Sequence, residues 1–185
     1  MVTIIGLVSI VVVVAGAVLA YAATKPDVFR VQRSISIKAP AGAIFPLLTD
    51  FQQWRTWSPY EKLDPGMKRS YGGASNGKGA VYEWNGNSKA GEGRMKIVDM
   101  SPPSRVFLSL DFRRPFKAHN LVDFTLEQAG CTTNVTWAMH GPSPYLAKVM
   151  RIFFDMDRMV GRDFETGLAN LKDIAEKSSA NATLQ

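Results

Sequence analysis

The sequence predicts an α+β fold: a curved antiparallel sheet of about seven strands wrapped around a long C-terminal helix, preceded by one N-terminal transmembrane helix. Three observations predict it. Over residues 144–177 the apolar side chains Leu146, Val149, Met150, Phe153, Met156, Val160, Phe164, Leu168, Leu171 and Ile174 fall on one helical stripe. Lys148, Arg151, Asp155, Arg158, Arg162, Asp173 and Glu176 take the opposite, wet face. Between residues 28 and 140, runs with a period of two alternate with Gly, Pro and Asn turns, which is the signature of strands. Finally, no charged side chain precedes Lys25.

The first element is that uncharged segment. Val2–Ala23 would run about 33 Å as a helix, enough for a hydrocarbon core of about 30 Å. Tyr21 sits where an interfacial aromatic sits, and Pro26 marks the exit. The rival reading is a cleaved signal peptide, since Ala20-Tyr21-Ala22 satisfies the small-x-small rule. A signal peptide carries Lys or Arg before its apolar region, and here only Met1 precedes it. A retained single-pass anchor over residues 1–25 is the expectation. Lys25, Arg30, Arg33 and Lys38 follow the segment, so the positive-inside rule places the domain in the cytoplasm. Cleavage would place it in the periplasm or outside the cell.

Residues 26–178 form the expected domain. The first strand covers 28–38, with Phe29, Val31, Ile35 and Ile37 on one side; Arg33 breaks that side and fits an edge. Ala39-Pro40 opens a short helix in which Pro46 suggests a kink. Three large aromatics, Trp54, Trp57 and Tyr60, follow in a short-helix or loop segment. Strands are expected over 67–71, 79–84, 91–100, 104–113, 117–128 and 131–140. Asn85-Gly86-Asn87 reads as a hairpin turn. Short turns between consecutive strands imply antiparallel neighbours. Gly161 interrupts the C-terminal stripe, so a bend or split is expected there. Residues 179–185 form a polar tail, expected to be disordered.

Composition excludes several functions. The net charge of +6 is scattered, with no nucleic-acid motif or stripe; a mild attraction to anionic headgroups fits it better. One cysteine, Cys131, rules out an intrachain disulfide and a Cys-rich metal site, and it is expected as a small, partly buried residue. His119 and His140 lack the neighbours of metal ligands or of a catalytic base, and His140 is expected to face solvent. Gly72-Gly73 and Gly77-x-Gly79 precede a strand, so no phosphate loop is implied. No cofactor, metal or catalytic residue is assigned.

The order strand, two helices, six strands, helix, together with particular residues, resembles a family. The carriers are Arg33-Ser34-Ile35-x-Ile37-x-Ala39-Pro40, Phe45 with Leu48-x-Asp50, and Trp54-x-x-Trp57-Ser58-Pro59. Further on are Gly77-x-Gly79-x-x-Tyr82-x-Trp84-x-Gly86 and Gly91-x-Gly93-x-Met95-x-Ile97. The last are Thr133-x-Val135-x-Trp137-x-Met139-x-Gly141 and Asp163-Phe164-Glu165-x-Gly167-Leu168-x-x-Leu171-Lys172. The chain resembles the START-like (SRPBCC) helix-grip superfamily, in its polyketide cyclase/dehydrase-like or coenzyme-Q-binding-like branch. The resemblance implies a sheet gripping the C-terminal helix around an apolar cavity. Fold alone does not settle function in such a family.

Alternation nominates the ligand-binding side chains: Tyr82, Trp84, Met95, Leu110, Phe112, Phe124, Trp137 and Met139 from strands, and Trp54, Trp57, Phe153 and Met156 from helices. The competing reading is that they are plain core. Tyr82, Trp84 and Trp137 carry donors that want partners when buried and could orient a ligand carbonyl or quinone oxygen. Phe153 and Met156 are expected at a gate. The inward set is almost wholly apolar. Asp163 and Glu165 are expected on a solvated face with Arg162. The expected function is membrane-tethered binding of a hydrophobic small molecule: a lipid, quinone or polyketide-like compound. The alternative is an aromatase/cyclase-type enzyme, which two or more buried titratable groups converging in the cavity would favour.

Overall fold

Alternation becomes pairing in the structure, a computed structural model that describes residues 2–183, with side chains from 12 to 181. Seven strands form one antiparallel sheet: β1 Val28–Ile37, β2 Lys68–Gly73, β3 Ala80–Asn85, β4 Glu92–Ser101, β5 Arg105–Arg114, β6 Ala118–Ala129 and β7 Thr132–Pro142. Their spatial order is β1-β7-β6-β5-β4-β3-β2. The six later strands are a simple meander. β1 joins its far end by pairing with β7 from Val28↔Pro142 to Ile37↔Thr133. The register of β4 on β5 shifts between Glu92 and Gly93 and between Ile97 and Asp99, and such bulges strengthen local twist.

The helices are α1 Val2–Ala23, α2 Ala41–Thr49, α3 Trp54–Trp57, α4 Tyr145–Phe153 and α5 Met156–Thr183, with a 3₁₀ turn at Pro59–Lys62. Of α1, residues 2–11 lie outside those whose side chains are described. Among the described residues no helix is long and apolar enough to cross a membrane. The expected anchor thus falls partly outside the described residues. Pro46 lies inside α2.

The C-terminal rod is two helices. It does not break at Gly161. At Phe154 the backbone turns extended (φ −122, ψ 120), and Asp155 starts a new helix by accepting from Arg158 N at 2.9 Å, as an N-cap does. The break separates two fates of the stripe. Phe164, Leu168 and Leu171 on α5 are fully buried. Leu146, Met150, Phe153 and Met156 are exposed, so the first half of the stripe is not core. Helix α5 also runs to Thr183, through much of the tail expected to be disordered. Cys131 is exposed in the β6–β7 turn, where no strand covers it.

Helix α5 lies along the edge strand β1. Arg33 Nε donates to Glu165 Oε1 at 2.7 Å and its Nη2 to Asp157 Oδ2 at 3.0 Å. Lys172 Nζ reaches Ser36 O at 3.0 Å, and Glu176 Oε1 accepts from Lys38 N at 2.7 Å. Glu165 lies on the solvated face as expected, and there it pairs with Arg33. Gly161 is where the guanidinium passes: a Cβ there would stand 2.0 Å from Arg33 Nη2.

A double substitution tests that reading. Gly161→Ala alone should destabilise the fold in urea denaturation, because backbone and guanidinium must part. In an Arg33→Ala background the same change should stabilise, by up to ~1 kcal/mol, the helix-propensity gap between the two residues. A Gly161→Ala effect of the same sign and size in both backgrounds would contradict it.

Candidate functional site

Between the sheet, the 3₁₀ turn and the start of α5 lies a cavity of about 560 Å³. That size falls within the range of small-molecule sites, roughly 300–1,000 Å³. The sheet contributes Tyr82 and Trp84 from β3, Met95 from β4, Leu110 and Phe112 from β5, Val122 from β6, and Trp137 and Met139 from β7. Each belongs to the inward set of an alternating strand. Trp54, Leu63 and Met67 close one side; Val160, Asp163 and Phe164 of α5 close another.

Trp84 lies flat on β4 because Gly93 leaves it room; a Cβ at 93 would sit 2.4 Å from its ring carbon Cη2. The ring stacks on Tyr82 at 5.9 Å and meets Phe112 edge-on at 5.8 Å. Its Nε1 donates to Ala90 O at 3.0 Å. Trp137 stacks on Phe164 at 4.1 Å and 8°. Gly167 permits that stack, since a Cβ there would stand 2.8 Å from Trp137 Cζ3.

Eight of the nominated residues thus share the cavity wall: Trp54, Tyr82, Trp84, Met95, Leu110, Phe112, Trp137 and Met139. Trp57 and Phe124 do not line it. They are completely buried behind it, in a cluster where Trp57 meets Phe124 at 6.1 Å and Trp137 at 5.6 Å. Alternation gave the face of Phe124 correctly but not its depth under α3. Phe153 and Met156 do not line it either. The extended step at Phe154 carries α4 away from the sheet, and Phe153 is 67% exposed.

Of the three expected donors, two are satisfied. Tyr82 Oη donates to Glu61 Oε1 at 2.5 Å, and Trp84 bonds Ala90. Trp137 Nε1 is buried and, among the described residues, has no hydrogen-bond acceptor. A buried donor left unpaired costs about 1–3 kcal/mol.

The wall is also less apolar than expected. Tyr60 and Glu61, neighbours in the 3₁₀ turn, both line it. Glu61 Oε2 accepts from Arg69 Nε at 2.6 Å, so both its oxygens are engaged. Tyr60 faces Asp163 across the wall. Burial, and then the carboxylate each one faces, push the Tyr60 and Tyr82 phenols above their ordinary value. Burial raises the Asp163 carboxyl above 3.8, while Tyr60 pulls the other way. Asp163 also remains exposed to solvent, which places it at the mouth. None of Tyr60, Glu61 or Asp163 stood out in the sequence as a site residue. The available signal was the pair Tyr60-Glu61 directly after the Trp54–Pro59 motif.

Among the described residues, His119, His140 and Asp50 do not line the cavity. His119 Nδ1 bonds Asp111 Oδ1 at 2.6 Å on the exposed surface. His140 is half-buried with its Nδ1 unpartnered, and not turned wholly to solvent as expected. Asp50 ends α2 and accepts from Gln52 N at 2.9 Å, a turn role. Among the described residues no group of His, Cys, Asp and Glu could hold a metal ion.

The family model for polyketide cyclase/dehydrase and lipid transport matches residues 28–176. Solved structures share the fold. Protein CV1439 from Chromobacterium violaceum is 13% identical over 82% of this chain and 99% of its own, with a TM-score of 0.57. DynU16, a protein of the dynemicin biosynthetic locus, is 15% identical over 84% of this chain and 49% of its own, at 0.55. The Aha1 dimer from Colwellia psychrerythraea is 18% identical over 80% of this chain and 96% of its own, at 0.53. No curated protein matches the chain.

Asp163 makes a pH test. Its raised value means the folded state holds the proton more tightly than the unfolded chain. The stability this supplies is complete below 3.8 and lost as pH rises through the folded value. Asp163→Asn removes that loss. Its melting temperature, relative to wild type, should be higher at pH 7 than at pH 3.5. A difference that does not change with pH would contradict the assignment.

Proposed function

Since the chain belongs to the polyketide cyclase/dehydrase and lipid transport family, we propose that it is a membrane-tethered binding protein for a hydrophobic small molecule. The observation that carries this is the cavity of about 560 Å³ walled by aromatic, Leu and Met side chains. Trp137 contributes an aromatic face to this wall, while its buried Nε1 is closed off from the cavity. The uncharged segment Val2–Ala23 serves as the tether, with the domain on the cytoplasmic side. A ligand dissolved in the bilayer then meets the cavity at high local concentration.

A cyclase or dehydrase activity is the second reading, and the Tyr60–Asp163 pair is what favours it. A carboxyl held above its ordinary range can deliver a proton to a substrate carbonyl. It ranks second because the other acid in the wall, Glu61, is neutralised by Arg69 and already accepts from Tyr82. Chemistry that needs an acid and a free base would have only one unencumbered carboxyl, and that one is open to solvent.

The full chain, purified in detergent, should be stabilised thermally by some member of a panel of lipids, quinones and aromatic polyketides. Met139→Trp, which fills the cavity, should abolish that shift. No shift from any panel member, together with no apolar compound in an extract of the purified chain, would sink the binding reading. Turnover of a polyketide substrate that Asp163→Asn eliminates without loss of binding would establish the second.

A further inference from the structure

We propose that α4 and the first turn of α5 form an interfacial lip that inserts into the surface of the same membrane that α1 enters, holding the cavity mouth against the bilayer. This rests on the reading of α1 as an anchor.

The first observation is an apolar surface with nothing on it. Leu146 is 72% exposed, Phe153 67%, Phe154 56% and Met159 58%, with Met150 and Met156 beside them. Single exposed apolar residues are ordinary; a contiguous set from two successive helical segments marks an interaction surface. Basic residues share these segments: Arg151 on α4, Arg158 and Arg162 on α5. A helix with one large apolar face and basic flanks is the pattern of an interfacial helix on anionic lipid.

The second observation fixes the occupant. Helix α4 is fastened to the end of α1. Tyr145 Oη donates to Leu19 O at 2.8 Å. Lys148, itself buried, reaches Asp27 at 2.6 Å, and Ser143 N donates to Asp27 O at 2.7 Å. Leu19 lies four residues before the end of α1, about 6 Å along a helix axis. If α1 enters a bilayer, α4 lies at its boundary, the depth where interfacial helices bury their apolar face by about 5–10 Å. A water-exposed position for Leu146 and Phe153 there would be the costlier one.

The third observation links the lip to the cavity. Met156 and Met159 on α5 are exposed, and Val160, Asp163 and Phe164, within the next two turns, line the cavity. An apolar ligand leaving the bilayer at the lip would therefore reach the cavity along one helix, with little travel through water.

The single native cysteine makes the test direct. Cys131 lies at the other end of β7 from α4, some 35 Å away at about 3.3 Å per residue. The full chain in nanodiscs of phosphatidylcholine with phosphatidylglycerol is labelled with an environment-sensitive fluorophore, either at native Cys131 or at residue 153 in the Phe153→Cys, Cys131→Ser variant. The proposal expects the label at 153 to be blue-shifted and strongly quenched by lipids carrying shallow nitroxides, and the label at 131 to be neither. A label at 153 that stays water-exposed while the chain sits in the disc overturns the lip and leaves the anchor standing. A label at 153 that is shielded yet unquenched by lipid, with self-quenching between chains, assigns the face to a second copy and also overturns it. A chain that does not enter the discs at all overturns the anchor reading and the lip together. Leu146→Glu with Phe153→Glu should slow ligand uptake from vesicles several-fold and leave the melting temperature unchanged; equal uptake rates would count against the proposal.

Discussion

Trp137 of β7 and Phe164 of α5 stack at 4.1 Å, and the position of α5 over the sheet follows from that contact. Gly167, one turn beyond Phe164, has no side chain to hold the ring away, and Pro59 fills the same gap from the other side. Trp57 and Phe124 back the pair, each within about 6 Å of Trp137. Such aromatic pairs add about 0.5–1.5 kcal/mol beyond their buried area, and here they share one ring. Asn170 Nδ2 bonds Trp57 O at 2.9 Å, so α3 is locked to α5 at the same point. Helix, turn and sheet therefore meet at one aromatic knot.

The cavity is what that knot leaves open. Helix α5 is pinned at Phe164 and tied to β1 by Arg33, Lys172 and Glu176, so it covers the β1 end of the sheet. Strands β3, β4 and β5 curve away from it, and their inward residues Tyr82, Trp84, Met95 and Leu110 line open space. The polar groups in that wall sit where two surfaces join. Glu61 seals the 3₁₀ turn to β2 and β3 through Arg69 and Tyr82; Asp163 faces Tyr60 from α5 at the solvent-exposed mouth. Glu61 serves the frame and Asp163 stands open to solvent, which is why an apolar-ligand site fits the geometry better than a paired acid and base.

The strands were legible in the sequence because period-two alternation and Gly or Pro punctuation are local signals. All seven appear within a few residues of their expected bounds, and eight nominated wall residues do line one cavity. What could not be read depends on partners distant in the chain. Leu146, Met150 and Phe153 keep the helical period of Phe164 and Leu168, so periodicity alone set both halves of the stripe against the sheet, the first as a gate and the second as core. Only the extended step at Phe154 separates them. Gly161 looked like a helix break because its true neighbour, Arg33, is 128 residues earlier. Tyr82 and Glu61 meet across 21 residues, with nothing in either segment to announce it. Trp57 and Phe124 show that alternation reports a face and not a depth.

Methionine methyl groups provide the most direct test of the apolar site. Met67, Met95 and Met139 line the cavity, while Met150 and Met159 stand outside on the exposed face. In a methyl-labelled sample of the full chain in a fixed detergent, a saturating apolar carbonyl compound should shift the signals of Met67, Met95 and Met139 and leave Met150 and Met159 in place. Shifts confined to Met150 and Met159, or no shift at the three cavity methyls with any compound that stabilises the chain, would contradict the account.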